Sequence, residues 1–149
     1  MEKKAFLAGI YGAIILIVVF SIMSLLGLIE RPGFVANYRE FFTSHPFDFV
    51  PAAILFALSG GIWGYLYGLL FKPNVQTGIF YGFAPTLWNW VVVPYALGKP
   101  LFAAVALKGM VLPVIFNMLV WGAFIGWYLQ KYGRPRRAAR SKQKRSKKR

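Results

Sequence analysis

The chain has no cysteine and very few side chains that titrate near neutral pH. Its 149 residues include four acidic residues and one histidine, His45. Without cysteine it can form no disulfide, thiolate zinc site or iron–sulfur cluster. His45 and nearby Asp48 give two potential metal ligands, whereas a protein metal site takes three or four. We therefore expect no cofactor.

The sequence patterns of common enzyme classes are also missing. No Walker, HExxH or GxGxxG-plus-acid pattern is present. The apolar parts of the chain offer only Ser, Thr, Tyr, Trp, Asn and Gln, which do not titrate near neutral pH and supply no nucleophile with its base. A proton-coupled transporter normally needs a buried carboxylate or His, and those parts contain neither. The sequence predicts a protein that is not an enzyme.

Long apolar stretches dominate what is present. Hydrophobic residues make up 58% of the chain, and four stretches are long enough to cross a hydrocarbon core of about 30 Å. None contains a charged residue, which matters because a charge at the bilayer centre costs about 2.5–3.5 kcal/mol. The sequence predicts an all-α, polytopic membrane protein, a bundle of four transmembrane helices. Their approximate ranges are 5–28, 49–71, 75–97 and 110–130.

Two parts of the chain differ in composition from these stretches. Residues 29–48 mix charged and aromatic side chains, which is typical of a loop or short helix at the membrane interface. His45 and Asp48 belong to this segment, where we expect them to be structural. Residues 133–149 contain no acidic residue and no large apolar residue, so we expect a disordered tail. The chain then divides into a transmembrane domain, 1–132, and a basic tail, 133–149.

Glycines recur at helical spacing in every predicted span. The second span carries Gly60, Gly64 and Gly68, which lie along one face of a helix. Small residues let membrane helices approach closely, so we expect these faces to pack inside the bundle. The glycine pattern also hints that 1–71 and 75–130 are related helical hairpins. The other predicted packing glycines are Gly9, Gly12, Gly78, Gly82, Gly122 and Gly126.

The last two spans contain amides and prolines. Asn89 and Asn117 should face other helices rather than lipid, and we predict that they pair with each other. Pro85, Pro94 and Pro113 should kink their helices, because each proline removes one backbone hydrogen bond. Kinked helices could also line a small cavity.

The distribution of Lys and Arg predicts the orientation. In a four-span protein the N-terminus, the turn at 72–74 and the C-terminus share one side, which holds fourteen of the eighteen Lys and Arg residues. The other side holds Arg31, Arg39, Lys99 and Lys108. The positive-inside rule then places both termini in the cytoplasm of a cell-membrane protein.

The basic tail has three candidate partners. Anionic lipid is the first, since each cation near such a surface contributes about 1 kcal/mol. RNA or the ribosome is the second, because cations neutralise phosphates, although the tail has no aromatic residue for base stacking. An acidic protein is the third. The tail cations are Arg134, Arg136, Arg137, Arg140, Lys142, Lys144, Arg145, Lys147, Lys148 and Arg149.

Part of the chain resembles small bacterial four-helix membrane proteins that are classed as domains of unknown function. The resemblance rests on the glycine-rich run 60–70, on Gly78 and Gly82, on Trp88 and Pro94, and on the segment 98–102. It implies a four-helix fold and supplies no activity. Members often carry a His just before the glycines, where this chain has residues 56–59, Phe-Ala-Leu-Ser.

Three functions fit these features. The first is a non-enzymatic structural or accessory subunit of the inner membrane, with a membrane-protein partner. The second is a small-solute permease or channel formed by a homo-oligomer. The third is a membrane tether that recruits RNA or ribosomes through its tail.

Overall fold

The computed structural model describes residues 2–42, 45–98 and 107–133, and side chains in the last range from 111 onward. Within these ranges the chain is helical, with no strand. Three helices are long and apolar enough to cross a membrane: Glu2–Leu25, Phe49–Leu70 and Val111–Tyr132. These findings confirm an all-helical fold with the composition of a membrane protein. The tail cations from Arg134 to Arg149 lie outside the described residues.

The first half of the chain forms three helices, α1 (Glu2–Leu25), α2 (Gly33–Phe41) and α3 (Phe49–Leu70). The predicted spans 5–28 and 49–71 correspond to α1 and α3. Both helices are continuous because proline is absent from α1 and lies only in the first turn of α3, where its missing N–H costs nothing. Helix α2 falls in the segment 29–48 that was predicted to lie at the interface.

The segment predicted as one helix over 75–97 is interrupted. It consists of α4 (Val75–Tyr81), α5 (Phe83–Leu87), a π-helical segment (Trp88–Val92) and α6 (Val93–Ala96). Pro85 cannot donate to the carbonyl four residues earlier, that of Tyr81, and the helix breaks directly after Tyr81. Pro94 likewise cannot donate to Trp90, which lies in the widened segment. The prolines therefore act as the sequence predicts, with a stronger effect than a kink.

The last helical stretch also widens. It comprises α7 (Leu107–Val114), a second π-helical segment (Ile115–Gly122) and α8 (Ala123–Tyr132). The stretch is longer than the predicted 110–130, and Pro113 lies just before its π-helical part. The sequence predicts a distortion at Pro113 but not eight residues of π-helix.

Glycines bring α1 and α3 into backbone contact. A Cβ added at Gly9 would lie against the Gly60 carbonyl and 3.0 Å from the Gly64 Cα atom. A Cβ at Gly64 would lie 2.5 Å from the Ala5 carbonyl oxygen, and one at Gly68 2.5 Å from the Ala5 Cβ atom. Only residues without side-chain bulk allow this distance between the two helices.

The second half of the chain repeats this contact. A Cβ added at Gly78 would lie against the Gly122 carbonyl and 3.0 Å from the Gly126 Cα atom, and one at Gly126 against the Asn74 carbonyl. Gly78 thus takes the place of Gly9. Its partners Gly122 and Gly126 take the places of Gly60 and Gly64, and Asn74 takes the place of Ala5. This matching geometry is what a duplication of the hairpins 1–71 and 75–130 predicts. Gly82 packs on the backbone of Asn117.

A buried core joins the two helix pairs at the end of the bundle that carries the turn 72–74, which we call the turn end. Its buried members are Ala5, Ala8, Leu16, Tyr67, Tyr81, Trp121, Ile125 and Leu129. Trp121 also packs against Gly12. At the same end the Lys4 ammonium donates to the Tyr132 carbonyl at 2.7 Å, which brings the start of α1 to the end of α8.

Helix α2 lies across the opposite end of the bundle, which we call the α2 end. Phe34 and Val35 are buried there with Ala52 of α3. The Arg39 Nε atom donates to the Asp48 carboxylate at 2.7 Å, and the His45 N–H donates to the same carboxylate at 2.9 Å. Burial raises the pKa of Asp48, but these two donors outweigh it and hold the pKa below 3.8. An ionised Asp48 thus ties α2 to the start of α3.

Candidate functional site

A cavity of about 730 Å³ lies among the helices, between mid-bundle and the α2 end. Ala13 and Leu16 of α1, Gly60 of α3 and Trp121 of the second π-helical segment line its inner part. It reaches the surface beneath α2, where Arg31 and the other rim residues Glu40 and Phe42 are exposed. Its volume falls in the range of ordinary ligand sites, about 300–1,000 Å³.

The inner polar groups of the cavity are uncharged. Ser59, Asn89 and Asn117 line it, and among the described lining residues only Arg31 and Glu40, both at the rim, are charged at neutral pH. Ser59 makes no hydrogen bond to a described residue, whereas Ser21 of α1 donates to its own helix at the Ile17 carbonyl, 2.7 Å away. The Ser59 hydroxyl is therefore available to a molecule in the cavity.

The predicted pairing of Asn89 with Asn117 is wrong. Asn117 Nδ2 donates to the Thr86 hydroxyl at 3.1 Å, and that hydroxyl donates to the Gly82 carbonyl at 3.1 Å. Asn89 Nδ2 instead donates to the Pro85 carbonyl at 3.0 Å. The helix break around Pro85 makes the Pro85 carbonyl and the Thr86 hydroxyl available as acceptors, so the two amides bond to these groups instead of to each other.

Asn89 also contacts α2. Its Oδ1 atom accepts a hydrogen bond of 3.4 Å from Asn37 Nδ2. One N–H of each lining asparagine and the Oδ1 atom of Asn117 have no hydrogen-bond partner among the described residues. The cavity thus offers unused donors and an unused acceptor.

The two π-helical segments carry several of the tryptophan and asparagine side chains that line the cavity. Trp88, Asn89 and Trp90 lie in the first, and Asn117 and Trp121 in the second, and all five line the cavity. π-helical turns are rare and are frequent at functional sites. The sequence signals for them are the position of Trp88-Asn89-Trp90 between Pro85 and Pro94 for the first segment, and Pro113 for the second.

Aromatic side chains form much of the wall. Trp63 of α3 meets Trp88 edge to face, with ring centroids 5.9 Å apart. Phe20 of α1 meets Phe116 at 4.9 Å, and Phe34 of α2 stacks on Phe56 at 5.3 Å. The wall therefore suits a ligand with an apolar body. The sequence did not single out Ser59, Trp63 or these phenylalanines.

The buried core closes the cavity at the turn end. Tyr67, Ile125 and Leu129 are each at most 1% exposed. The Tyr67 hydroxyl bonds the Thr77 hydroxyl at 2.7 Å and the Asn74 carbonyl at 3.0 Å, and the Tyr81 hydroxyl donates to the Trp63 carbonyl at 3.1 Å. Among the described residues the cavity is therefore closed at the turn end and does not run through the bundle as a pore.

The structure distributes the predicted site residues between two roles. Gly60, Asn89, Asn117 and the three prolines line the cavity, whereas the remaining predicted glycines form helix contacts. In the described part of the chain no three His, Asp or Glu side chains cluster as metal ligands. Beside α2, Asp48 accepts hydrogen bonds from Arg39 and from the His45 N–H, and neither His45 nor Asp48 lines the cavity.

Comparisons of this chain with protein-family models, with curated proteins and with solved structures found no match. The resemblance to small bacterial four-helix membrane proteins therefore stays a prediction. The cavity and its geometry carry the functional argument.

Proposed function

We propose that the chain is a four-span protein of the cell membrane with the turn end and both termini in the cytoplasm. The segment 75–96 is the fourth span in this proposal, since it contains no charged residue and runs from the turn end to the α2 end. Its broken backbone faces the cavity, where irregular helix is tolerated in membrane proteins. The excess of Lys and Arg at the turn end supports the orientation.

We propose further that the protein acts without catalysis, as an accessory subunit that holds an uncharged ligand. The observation that carries this proposal is the cavity of about 730 Å³, closed at the turn end, with Ser59, Asn89 and Asn117 in its wall. Such a cavity excludes a strongly charged ligand, because a charge at this depth has no counter-ion among the described inner lining residues. In this account the basic tail contacts anionic lipid.

The cavity argues against the two alternative functions to different degrees. A path through a single subunit is closed at the turn end, where Tyr67, Ile125 and Leu129 fill the space, and a channel between the subunits of a homo-oligomer would not run through this cavity. A tether depends on the tail, which lies outside the described residues. The cavity has no role in a tether and provides no path for a channel, so a ligand-holding accessory subunit is the function in which the cavity has a role.

Native mass spectrometry of the purified protein tests this function. Ser59→Phe fills the cavity, whereas Leu58→Phe adds the same ring at the neighbouring position, which does not line the cavity. We expect wild type and Leu58→Phe to carry a bound small molecule after release from mild detergent, and Ser59→Phe to lose it. The proposal fails if wild type carries no bound molecule, or if folded Ser59→Phe carries as much as wild type.

A further inference from the structure

We infer that the ligand is a neutral glycerolipid with a free hydroxyl, such as a diacylglycerol, which enters sideways from the leaflet at the α2 end. The inference rests on the proposed function and names the ligand class of that site. It stands on three features: the hydrogen-bonding groups left unused in the wall, the charges absent from its inner part, and an opening at membrane depth.

The unused groups require a ligand with both a donor and an acceptor. The Thr86 hydroxyl donates to Gly82 and must therefore accept from Asn117, which fixes the Asn117 amide with its Oδ1 atom unused. That oxygen needs a hydroxyl or N–H from the ligand. The unused N–H groups of Asn89 and Asn117 need carbonyl or hydroxyl oxygens. A molecule with carbonyls alone leaves the Asn117 oxygen unpaired, whereas a diacylglycerol has one hydroxyl and two ester carbonyls.

The charges of the wall distinguish neutral lipids from phospholipids. Among the described lining residues, Arg31 and Glu40 stand at the rim with opposite signs, and the inner part offers no cation to a phosphate. Burying an unpaired phosphate there would cost far more than an amide hydrogen bond returns. The head group that fits is therefore uncharged.

The wall opens at membrane depth between α3 and the segment 83–96. Leu55 and Trp88 both line the cavity and are 47% and 48% exposed, so the described side chains leave this part of the wall uncovered. A volume of 730 Å³ corresponds to roughly two dozen water-sized volumes. That space holds the glycerol, the esters and the upper acyl chains, while the remaining chains leave through the opening into the bilayer.

Tryptophan fluorescence in phosphatidylcholine nanodiscs tests the inference, because Trp63, Trp88 and Trp121 line the cavity. The probe is a diacylglycerol brominated on its acyl chains, which quenches nearby indoles. Phosphatidylcholine with the same brominated chains is the reference for bulk lipid. We expect saturable extra quenching by the brominated diacylglycerol, reversed by excess unbrominated diacylglycerol.

Three variants assign the quenching to the cavity. We expect Ser59→Phe to abolish the saturable part and Leu58→Phe to keep it. Asn117→Leu removes one hydrogen-bonding partner and should weaken binding about tenfold. Equal quenching by the two brominated lipids, or a saturable part unchanged in Ser59→Phe, would overturn the inference. If mass spectrometry still finds a bound molecule that is not a neutral glycerolipid, such as a quinone or a water-soluble solute, the proposed function stands and only this inference fails.

Discussion

The Trp121 indole donates a hydrogen bond of 3.1 Å to the Gly9 carbonyl, and the two residues are 112 positions apart. Gly9 is also in backbone contact with α3, where it meets Gly60 and Gly64. One residue therefore takes part in the packing of the first helix pair and in its connection to the second pair. Because both partners are buried, this contact fixes the two pairs against each other, and the Trp121 side chain also lines the cavity.

Removing this hydrogen bond should destabilise the bundle. Trp121→Phe keeps an aromatic ring but loses the donor, so we expect a loss of about 1–2 kcal/mol in unfolding free energy. Trp127→Phe is the control, since Trp127 is 44% exposed and its ring contacts Lys131 at the surface. That variant should change stability by about 0.5 kcal/mol or less. Equal melting temperatures of the two variants in dodecyl maltoside would contradict the role of the Trp121 bond.

Because the glycine contacts in the two helix pairs match, substitutions at equivalent glycines should lower the unfolding free energy by similar amounts. Gly64→Ala and Gly126→Ala should each force backbone apart and cost about 1–3 kcal/mol or more, because overpacking a tight contact displaces both helices. Gly33→Ala is the control, since a Cβ there has no atom within 4 Å. Thermal unfolding of the three variants, followed by circular dichroism, measures the differences. A melting temperature of Gly64→Ala as high as that of Gly33→Ala would show that α1 and α3 are not in backbone contact.

The turn between the two hairpins depends on one phenol. Tyr67 accepts a hydrogen bond of 3.2 Å from the Asn74 N–H and bonds the Thr77 hydroxyl, while Asn74 caps α4. Tyr67→Phe should therefore cost about 1–3 kcal/mol, because buried partners lose their hydrogen bonds. Tyr65→Phe, two residues away, removes a hydroxyl that bonds no described residue. An equal loss of stability in both variants would argue against the hydroxyl network.

The ion pair at the α2 end gives stability a defined pH dependence. Since the folded pKa of Asp48 is lowered from 3.8, its contribution is complete above pH 3.8 and is lost as the pH falls through the folded value. Asp48→Asn should therefore melt below wild type at neutral pH, with the difference shrinking under strongly acid conditions. Glu30→Gln serves as the control for removal of an exposed acid beside α2. A difference independent of pH would mean that the charge of Asp48 does not stabilise α2.

The sequence predicted the spans and their contacts more successfully than the cavity. Apolar stretches of span length and glycines at four-residue spacing are local signals, so α1, α3 and the packing of Gly9 and Gly64 could be expected. A proline marks where a helix loses a hydrogen bond, so the breaks near Pro85 and Pro94 were foreseeable. Whether the helix widens into π-helical turns around those breaks depends on how it packs against neighbouring helices, which the local sequence does not show.

The cavity depends on this packing between helices, which places the π-helical segments in its wall. Asn89 and Asn117 both line the cavity, but their amide N–H groups donate to Pro85 and Thr86, partners that only the broken backbone makes available. Ser59 gave no signal, because one serine in an apolar helix usually bonds its own backbone, as Ser21 does. Its cavity position follows from the gap between α3 and the segment 83–96.

The central claim, four spans with the turn end in the cytoplasm, is tested most directly by single-cysteine labelling. The chain has no native cysteine, so each introduced thiol is unique. Lys72→Cys, Lys131→Cys and Phe47→Cys are treated in intact spheroplasts with a membrane-impermeant maleimide, with lysed cells as the control for reactivity. The account predicts labelling of Phe47→Cys in intact spheroplasts, and of Lys72→Cys and Lys131→Cys only after lysis. Labelling of Lys72→Cys and Lys131→Cys from opposite sides would show that 75–96 does not span the membrane and would contradict the account.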